Sequence, residues 1–537
     1  MTLGSLTARE VLAALLEPGS FRSWDVPPIN VAAGAAYAAE LAAARARTGL
    51  DESVLTGEGR IGGHPVAVAA SEFGFLGGSI GLAAGERLTQ AVERATAARL
   101  PLITLPASGG TRMQEGTLAF LQMVKITSAV TAHRRARLPY LVYLRHPSTG
   151  GVFASWASVG HLTLAQPGAL IGFLGPRVYE ALAGSPFPEG IQTAENLAAH
   201  GLVDGVMAPD RFGELVGRVL DALTPASGAE VVGRVGGAEV VRGAGGAGRV
   251  GGAGAGGGTD GAGAGGAGRT GTGAGGVGGA EVGETEAGGG DAWASVLRTR
   301  QPGYPDARAL IVAAATDVVT LREGSVILAL GRIGGMPVVL AAQDRHAPPP
   351  GPGALRVARR GVRLAAELGL PLVTVIDTAG AELSPQAEQD GLAAQIAHTL
   401  SDLLTTPSPT VSVLLGQGTG GAALALLPAD RTVAAADGWL APLAPEGASA
   451  IMYRDTDHAA DLAEQQGIRA ADLAAAGVVD EVISETGPPA PDLAPDLAPD
   501  LAQGLGRAVH RALAELARQN PQRRLAARAG RYRRLGP

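Results

Sequence analysis

Cysteine is absent from all 537 residues. Disulfides, thiolate nucleophiles, iron–sulfur clusters and cysteine-based zinc sites are therefore excluded together. Aromatic residues make up only 4% of the chain, so any core must be filled mainly by Ala, Val and Leu. Lysine is scarcer still, since Lys125 is the single one and all other Lys/Arg positions are arginines. No G-x-x-x-x-G-K-[ST] loop can therefore exist to hold nucleotide phosphates, and covalent chemistry on a lysine amine has one candidate. The nine histidines are scattered without H-x-x-x-H spacing, and no metal site is expected from local motifs.

Membrane and secretory signals are missing too. Val411 to Ala429 is an uncharged run of spanning length, but four glycines, Ser412, Gln417, Thr419 and Pro428 disqualify it as a lipid-facing helix. Met1 to Leu12 carries Arg9 and Glu10 where a secretory peptide would be apolar, so a cytoplasmic location is expected. The net charge of −7 conceals a basic end: nine arginines against one glutamate lie between Gln503 and Pro537. Leu505, Val509, Leu513 and Leu516 recur there at helical spacing, which predicts an amphipathic terminal helix with a solvated basic face rather than a nucleic-acid arm.

Glycine is abundant, and 29 of the 81 glycines fall between Gly228 and Gly290. That stretch cannot bury enough apolar surface to offset its ordering entropy and reads as a disordered linker over 224–291. Across it the chain repeats itself. Gly59-Arg60-Ile61-Gly62-Gly63-His64-Pro65-Val66 recurs as Gly331-Arg332-Ile333-Gly334-Gly335-Met336-Pro337-Val338, Leu100 to Thr104 as Leu370 to Thr374, Thr149-Gly150-Gly151 as Thr419-Gly420-Gly421, and Gly201-Leu202-Val203-Asp204 as Gly477-Val478-Val479-Asp480. Four matches in one order predict two homologous domains, 1–223 and 292–485. A Pro/Asp/Leu/Ala repeat over 486–502 then leads to the basic helix of 503–537.

Each half alternates short β-branched runs with longer alanine-rich stretches. Leu102 to Leu105, Tyr140 to Leu144 and Leu170 to Phe173 are strand candidates in the first half, and Leu372 to Ile376, Thr410 to Leu415 and Arg431 to Ala435 in the second. Leu118 to Arg135 and Gln386 to Leu404 read as helices. The alternation predicts an α/β fold with mostly parallel strands.

Glycine pairs follow these strands: Gly109-Gly110, Gly150-Gly151 and Gly420-Gly421. A pair opening a helix turns backbone N–H groups towards a ligand and removes the side chains that would block it. Such donors can stabilise an oxyanion. Two shorter patterns compete. Gly77-Gly78-Ser79-Ile80-Gly81 fits G-x-S-x-G with Ser79 as a hydrolase nucleophile. Gly416-Gln417-Gly418-Thr419-Gly420-Gly421 fits G-x-G-x-x-G, with Asp437 placed for a ribose hydroxyl. Neither accounts for the duplication.

Longer strings carry a resemblance. Ser108-Gly109-Gly110-Thr111-Arg112-Met113-Gln114-Glu115-Gly116, Pro147-Ser148-Thr149-Gly150-Gly151-Val152 and Ile171-Gly172-Phe173-Leu174-Gly175-Pro176-Arg177 resemble the β subunit of the acetyl-CoA carboxylase carboxyltransferase. Gly416 to Leu424 and Ala444-Pro445-Glu446-Gly447-Ala448-Ser449-Ala450-Ile451 resemble its α subunit. The resemblance implies two crotonase-like domains and transfer of CO2 from carboxybiotin to acetyl-CoA, giving malonyl-CoA for fatty acid biosynthesis. Propionyl-CoA or another acyl-CoA as substrate, and a non-catalytic acyl-CoA-binding scaffold, are the alternatives. It implies that Gly109 and Gly110 hold the thioester enolate oxygen and that Gly420, Gly421 and Ala422 hold the ureido oxygen of biotin. Arg112, Lys125, Gly150 and Gly151 would bind substrate. Met123-Val124-Lys125-Ile126 faintly resembles a biotin-attachment turn, but Phe120, Met123, Val124 and Thr127 mark it as a helix face. Biotin is thus expected on a separate biotin carboxyl carrier protein, charged by a separate biotin carboxylase, with a homo-oligomer whose sites lie between protomers. The four-cysteine zinc ribbon of many such β subunits is missing.

Overall fold

In the computed structural model the described residues are 6–31, 34–223, 292–484 and 497–536. The linker expected over 224–291 and residues 486–496 of the repeat linker lie outside them.

Two sheets of the same design make up the fold. The first has the order β1 (Arg22–Ser23), β2 (Val54–Ile61), β3 (His64–Ser71), β4 (Leu102–Leu105), β5 (Tyr140–Leu144), β7 (Leu162–Ala165), β9 (Gly205–Val206), while β6 (Ser148–Thr149) pairs separately with β8 (Ile171–Gly172). The second runs β10 (Thr316–Arg322), β11 (Val326–Ile333), β12 (Met336–Gln343), β13 (Leu372–Thr378), β14 (Thr410–Thr419), β15 (Arg431–Ala435), β17 (Glu481–Ile483), with β16 (Trp439–Ala441) beside the end of β14. In both, an antiparallel hairpin precedes parallel strands. The repeat fixes the register: Ile61 faces His64 as Ile333 faces Met336. Gly62-Gly63 and Gly334-Gly335 form the turns, all four with positive φ, as a two-residue turn matching strand twist requires. Every residue of β4, β5, β13 and β14 is buried, the pattern of parallel strands covered on both faces. These are the two crotonase-like α/β units that the sequence implied.

One face of each sheet is covered by terminal helices. Ala8–Leu15 and Pro209–Leu223 bury Val11, Leu12, Phe212 and Val216 on the first. Leu497–Ala517 buries Leu501, Leu505, Val509, Leu513 and Leu516 on the second. The other faces share one core, in which Phe120, Leu121 and Val124 of the helix Gly116–Arg135 join Ile396, Leu400 and Leu403 of Leu392–Thr405. Polar contacts cross the same joint: Thr117 donates through N to Gln466 O and through Oγ1 to Leu440 O, each at 3.0 Å.

Two expectations change. The helix read over Gln386 to Leu404 is two, Pro385–Gln389 and Leu392–Thr405, because Gly391 adopts a φ of 80° between them. The basic terminal helix of 503–537 is also two. The first begins at Leu497 and the second, Pro521–Arg533, restarts at Pro521 behind Asn520, whose side chain accepts from Gln522 N and Arg523 N. Its basic face is not all solvated: Arg524, Arg528 and Arg531 are buried, drawn inward by Asp430 and Asp480 at the margin of the second sheet.

Candidate active site

The two Thr-Gly-Gly turns are structural equivalents. β6 ends at Thr149, Gly150 turns at a φ of 67°, and the short helix Gly150–Phe153 follows. β14 ends at Thr419, Gly420 turns at 65°, and Gly420–Leu424 follows. A left-handed glycine leading into right-handed backbone points successive N–H groups to one side, which creates an anion-binding concavity. The first N–H groups of a helix have no partner within it.

Both turns face one cavity of about 700 Å³ within a single chain. Gly150 and Gly151 line it from the first half and Gly420 and Gly421 from the second, with apolar walls that include Phe120, Phe173, Ile396 and Leu424. Its one ionisable lining residue among the described residues is Glu382, whose carboxylate accepts from Ser384 Oγ at 2.7 Å. No acid–base pair among the described residues faces the cavity, and the polar chemistry they offer it is chiefly that of backbone N–H groups. Among the described residues there is no cluster of His, Asp and Glu that could hold a metal.

Gly109 also lines the cavity, but its N–H donates to Gly77 O at 2.9 Å. The Gly110 N–H donates to Ser108 Oγ at 3.0 Å. Both donors assigned to the enolate oxygen are thus already engaged. This loop packs backbone against backbone: a Cβ at Gly110 would lie 3.0 Å from Gly151 N, and one at Gly150 would lie 3.0 Å from Gly109 O. Gly150 N itself donates to Phe173 O, which leaves Gly151 as the first N–H of that turn directed elsewhere. Gly421 closes the second turn, where a Cβ would fall 2.9 Å from both Phe173 and Ile396. Ala422 is buried behind it, its carbonyl accepting from Gln343 Nε2 at 2.8 Å.

Arg112 and Lys125 do not reach a substrate. The Arg112 guanidinium is fully buried, ion-paired to Glu52 and Glu115, and donates to Ser79 O and Ser53 Oγ. Lys125 is buried on the face of its helix, 2.7 Å from Glu86 and 2.8 Å from Leu535 O. Their donors are consumed inside the fold, which removes both from the substrate-binding set. The Ser79 hydroxyl donates to Leu76 O and accepts from Arg112 Nε, so no histidine activates it. Asp437 pairs with Arg298.

Two carboxylates escaped the sequence reading. Glu388, in the short helix Pro385–Gln389 of the second half, is buried and accepts from Phe173 N on both oxygens at 2.9 Å, from Leu174 N at 3.2 Å and from Gln192 Nε2 at 2.8 Å. It pins the loop that sets Phe173 over Gly421. Burial raises its pKa against the opposing pull of those donors. Asp377, at the end of β13, accepts from Gln417 N at 3.2 Å and lies 2.7 Å from Arg345. Burial outweighs the guanidinium and pushes it up to about 7. No motif marks Glu388, because its partners are distant in sequence, whereas Asp377 sits in the string Ile376-Asp377-Thr378-Ala379-Gly380-Ala381, which also resembles the α subunit.

Comparison with known proteins agrees with both halves. Residues 2–217 match the carboxyl transferase domain family, and residues 311–536 match the acetyl co-enzyme A carboxylase carboxyltransferase-like family. The chain is 51% identical to a probable biotin-dependent acyl-coenzyme A carboxylase beta3 subunit of Mycobacterium bovis, over 99% of both proteins. It is 37% identical to acetyl-coenzyme A carboxylase carboxyl transferase subunits beta/alpha of Parafrankia sp., covering 99% of this chain and 86% of the relative. The Salinispora arenicola protein of the same description is 36% identical, over 90% and 83% respectively.

Proposed function

Because the chain belongs to the biotin-dependent acyl-CoA carboxyltransferase family, we propose that it transfers CO2 from biotin on a separate carrier protein to the α-carbon of an acyl-CoA. The observation that carries this reading is the pair of equivalent glycine turns facing one apolar cavity. The transfer develops negative charge on two oxygens, the thioester oxygen of the acyl-CoA and the ureido oxygen of biotin, and two sets of backbone donors answer them. Stabilisation of this kind is usually the largest catalytic contribution where no side-chain base is present.

Of the two turns, we assign Gly150-Gly151 to the thioester oxygen, in place of Gly109-Gly110. Gly420-Gly421 takes the ureido oxygen, with Ala422 as backing. The residues present fit biotin: the donors are neutral N–H groups suited to a carbonyl-type oxygen, and the absence of a side chain at Gly420, where a Cβ would meet only Pro442 O at 3.4 Å, leaves room for a ring to approach. When bound, carboxylated biotin supplies the CO2 and, on releasing it, a basic ureido group that takes the α-proton. This chain's own residues orient the two oxygens, and the walls formed by Phe120, Phe173, Ile396 and Leu424 exclude water from the carbanion.

The substrate is an acyl-CoA, with acetyl-CoA, which gives malonyl-CoA for fatty acid synthesis, as its smallest member. A cavity of about 700 Å³ with apolar walls supports longer acyl groups as well, and the 51% relative's description as an acyl-CoA carboxylase subunit points the same way. A biotin carboxyl carrier protein and a biotin carboxylase are the partners, and assembly into a homo-oligomer belongs to the same reading. The test supplies purified chain with carboxylated carrier and acetyl-, propionyl- or butyryl-CoA and follows label from CO2 into the acyl-CoA. Carboxylation of at least one member is expected. Binding of acyl-CoA without label transfer would make the chain a non-catalytic scaffold and overturn the assignment.

A further inference from the structure

A second cavity, of about 190 Å³, lies against the C-terminal helix Pro521–Arg533 and shares no lining residue with the cavity of the glycine turns. Five arginines line it, Arg431, Arg524, Arg528, Arg531 and Arg534, against two aspartates, Asp430 and Asp480. Glu515, which accepts from Arg431, brings the third negative charge nearby, so among the described residues two positive charges are left unbalanced. Only part of the charge meets solvent, because Arg524, Arg528 and Arg531 are buried while Arg534 is exposed.

The donors are unevenly used. Arg528 is saturated, with Asp430 on Nε and Nη2 and carbonyls of Leu403, Thr406 and Ser408 on its remaining N–H groups. Arg531 donates to Asp480 and Val478 O, and Arg524 to Pro407 O. Among the described residues, however, Nε of Arg531 has no acceptor, and Nε of Arg524 lies 3.3 Å from Asp430 without hydrogen-bond alignment. Buried donors without acceptors are costly to the fold. Burial and the adjacent Arg528 also push the Arg524 guanidinium down, against the pull of Asp430. Two incompletely paired buried guanidiniums, an exposed Arg534 and the amide of Gln519 at the rim together present a concave set of forks suited to tetrahedral oxyanions.

We propose that this cavity is a binding site for a small phosphate-type anion, inorganic phosphate or diphosphate, which locks the C-terminal arm in place. The same arm reaches the first half, where Arg533 pairs with Glu86 and Glu93 and Leu535 O accepts from Lys125. An anion bound against it therefore stiffens a strap between the two halves without touching the cavity that holds the glycine turns.

The experiment is isothermal titration of the full chain with phosphate and, separately, with diphosphate, at submillimolar ligand and constant ionic strength, alongside thermal denaturation. Saturable one-to-one binding is expected for at least one of the two, the tighter identifying the source, with a rise in Tm. Arg534→Ala, which removes an exposed side chain and leaves the buried pairs intact, should weaken binding about tenfold and leave carboxyl transfer without anion unchanged. Arg524→Gln should abolish binding. If Arg524→Gln fails to fold, Arg534→Ala decides alone. Absence of saturable heat with both anions, or equal affinity in Arg534→Ala, would overturn the proposal.

Discussion

The Glu388 carboxylate is the sharpest place to test how the two halves cooperate. It comes from the second half, yet its acceptors hold the backbone of Phe173 and Leu174 and the amide of Gln192, all in the first. Phe173 in turn lies where a Cβ at Gly421 would collide with it, so the loop sets the width of the cavity at the second turn. Glu388→Gln keeps the shape but removes the charge, and it replaces the oxygen that only Phe173 N meets with an NH2 facing that donor. A hydrogen bond to a charged group is worth about 1.5–3 kcal/mol, and a buried donor left unmatched costs about 1–3 kcal/mol. Relief from desolvating a carboxylate offsets part of that loss. A net weakening of about 2 kcal/mol in the closed loop follows, equivalent to about 30-fold in kcat/KM. The assay is label transfer from carboxylated carrier to acyl-CoA by Glu388→Gln, with Gln386→Ala, an exposed position on the same helix, as control. A fall in kcat/KM near this size with a modestly lowered Tm is expected. Wild-type kcat/KM in a folded Glu388→Gln protein would refute the reasoning, because it would mean that Phe173 keeps its place without the carboxylate.

Three further outcomes follow from the same geometry. Gly420→Ala places a methyl group on a left-handed residue at an anion-binding turn, and turnover should fall about 100-fold or more; Gly109→Ala, whose Cβ would meet only Gly77 O at 3.7 Å, should stay within about tenfold, and equal losses in steady-state turnover would restore Gly109 as an oxyanion donor. Asp377 has a folded pKa of about 7 against an ordinary 3.8, so the folded state holds the extra proton between those values; stability should decline as pH rises from about 4 to about 7 and level off above, and Asp377→Asn should flatten that limb in a series of thermal melts. Lys125→Gln should cost about 2 kcal/mol of stability, since among the described residues it leaves Glu86 with Arg533 as its one cation beside the Gln90 amide and a half-broken buried pair is destabilising, while KM for acyl-CoA stays at the wild-type value; a selective rise in KM would return Lys125 to the substrate-binding set.

Much of the fold was legible because it depends on local periodicity and on the duplication. The buried parallel strands and the apolar face of Leu505, Val509, Leu513 and Leu516 reappear where the residue types required them, and the repeated Gly-Arg-Ile-Gly-Gly string falls on the same hairpin in both halves. The helix break at Gly391 and the second terminal helix were not legible. The first depends on one left-handed residue inside an otherwise helical pattern, and the second on a proline behind an asparagine cap within a run of arginines. Arg112, Arg524, Arg528 and Arg531 illustrate a different limit. A single sequence marks an arginine as a surface charge by default, and only the distant carboxylates Glu52, Asp430 and Asp480 bring these four inside.

The site shows how the repeat could have corrected its own reading. Thr149-Gly150-Gly151 and Thr419-Gly420-Gly421 are related by the duplication, and each opens a helix after a strand. At the same offset, Gly109-Gly110 corresponds to Ala379-Gly380, the loop after β13. Had Gly109 and Gly110 supplied one oxyanion hole and Gly420 and Gly421 the other, the two halves would use different parts of one ancestral fold for the same task. Pairing Gly150 with Gly420 restores the symmetry: both turn at nearly equal positive φ, while Gly110 and Gly380 share another positive-φ role. Gly109 and Gly380 then both line the cavity as the neighbouring loop. The Ser-Gly-Gly string is the more distinctive in sequence because backbone must pass against backbone there, which constrains residue type as strongly as chemistry does.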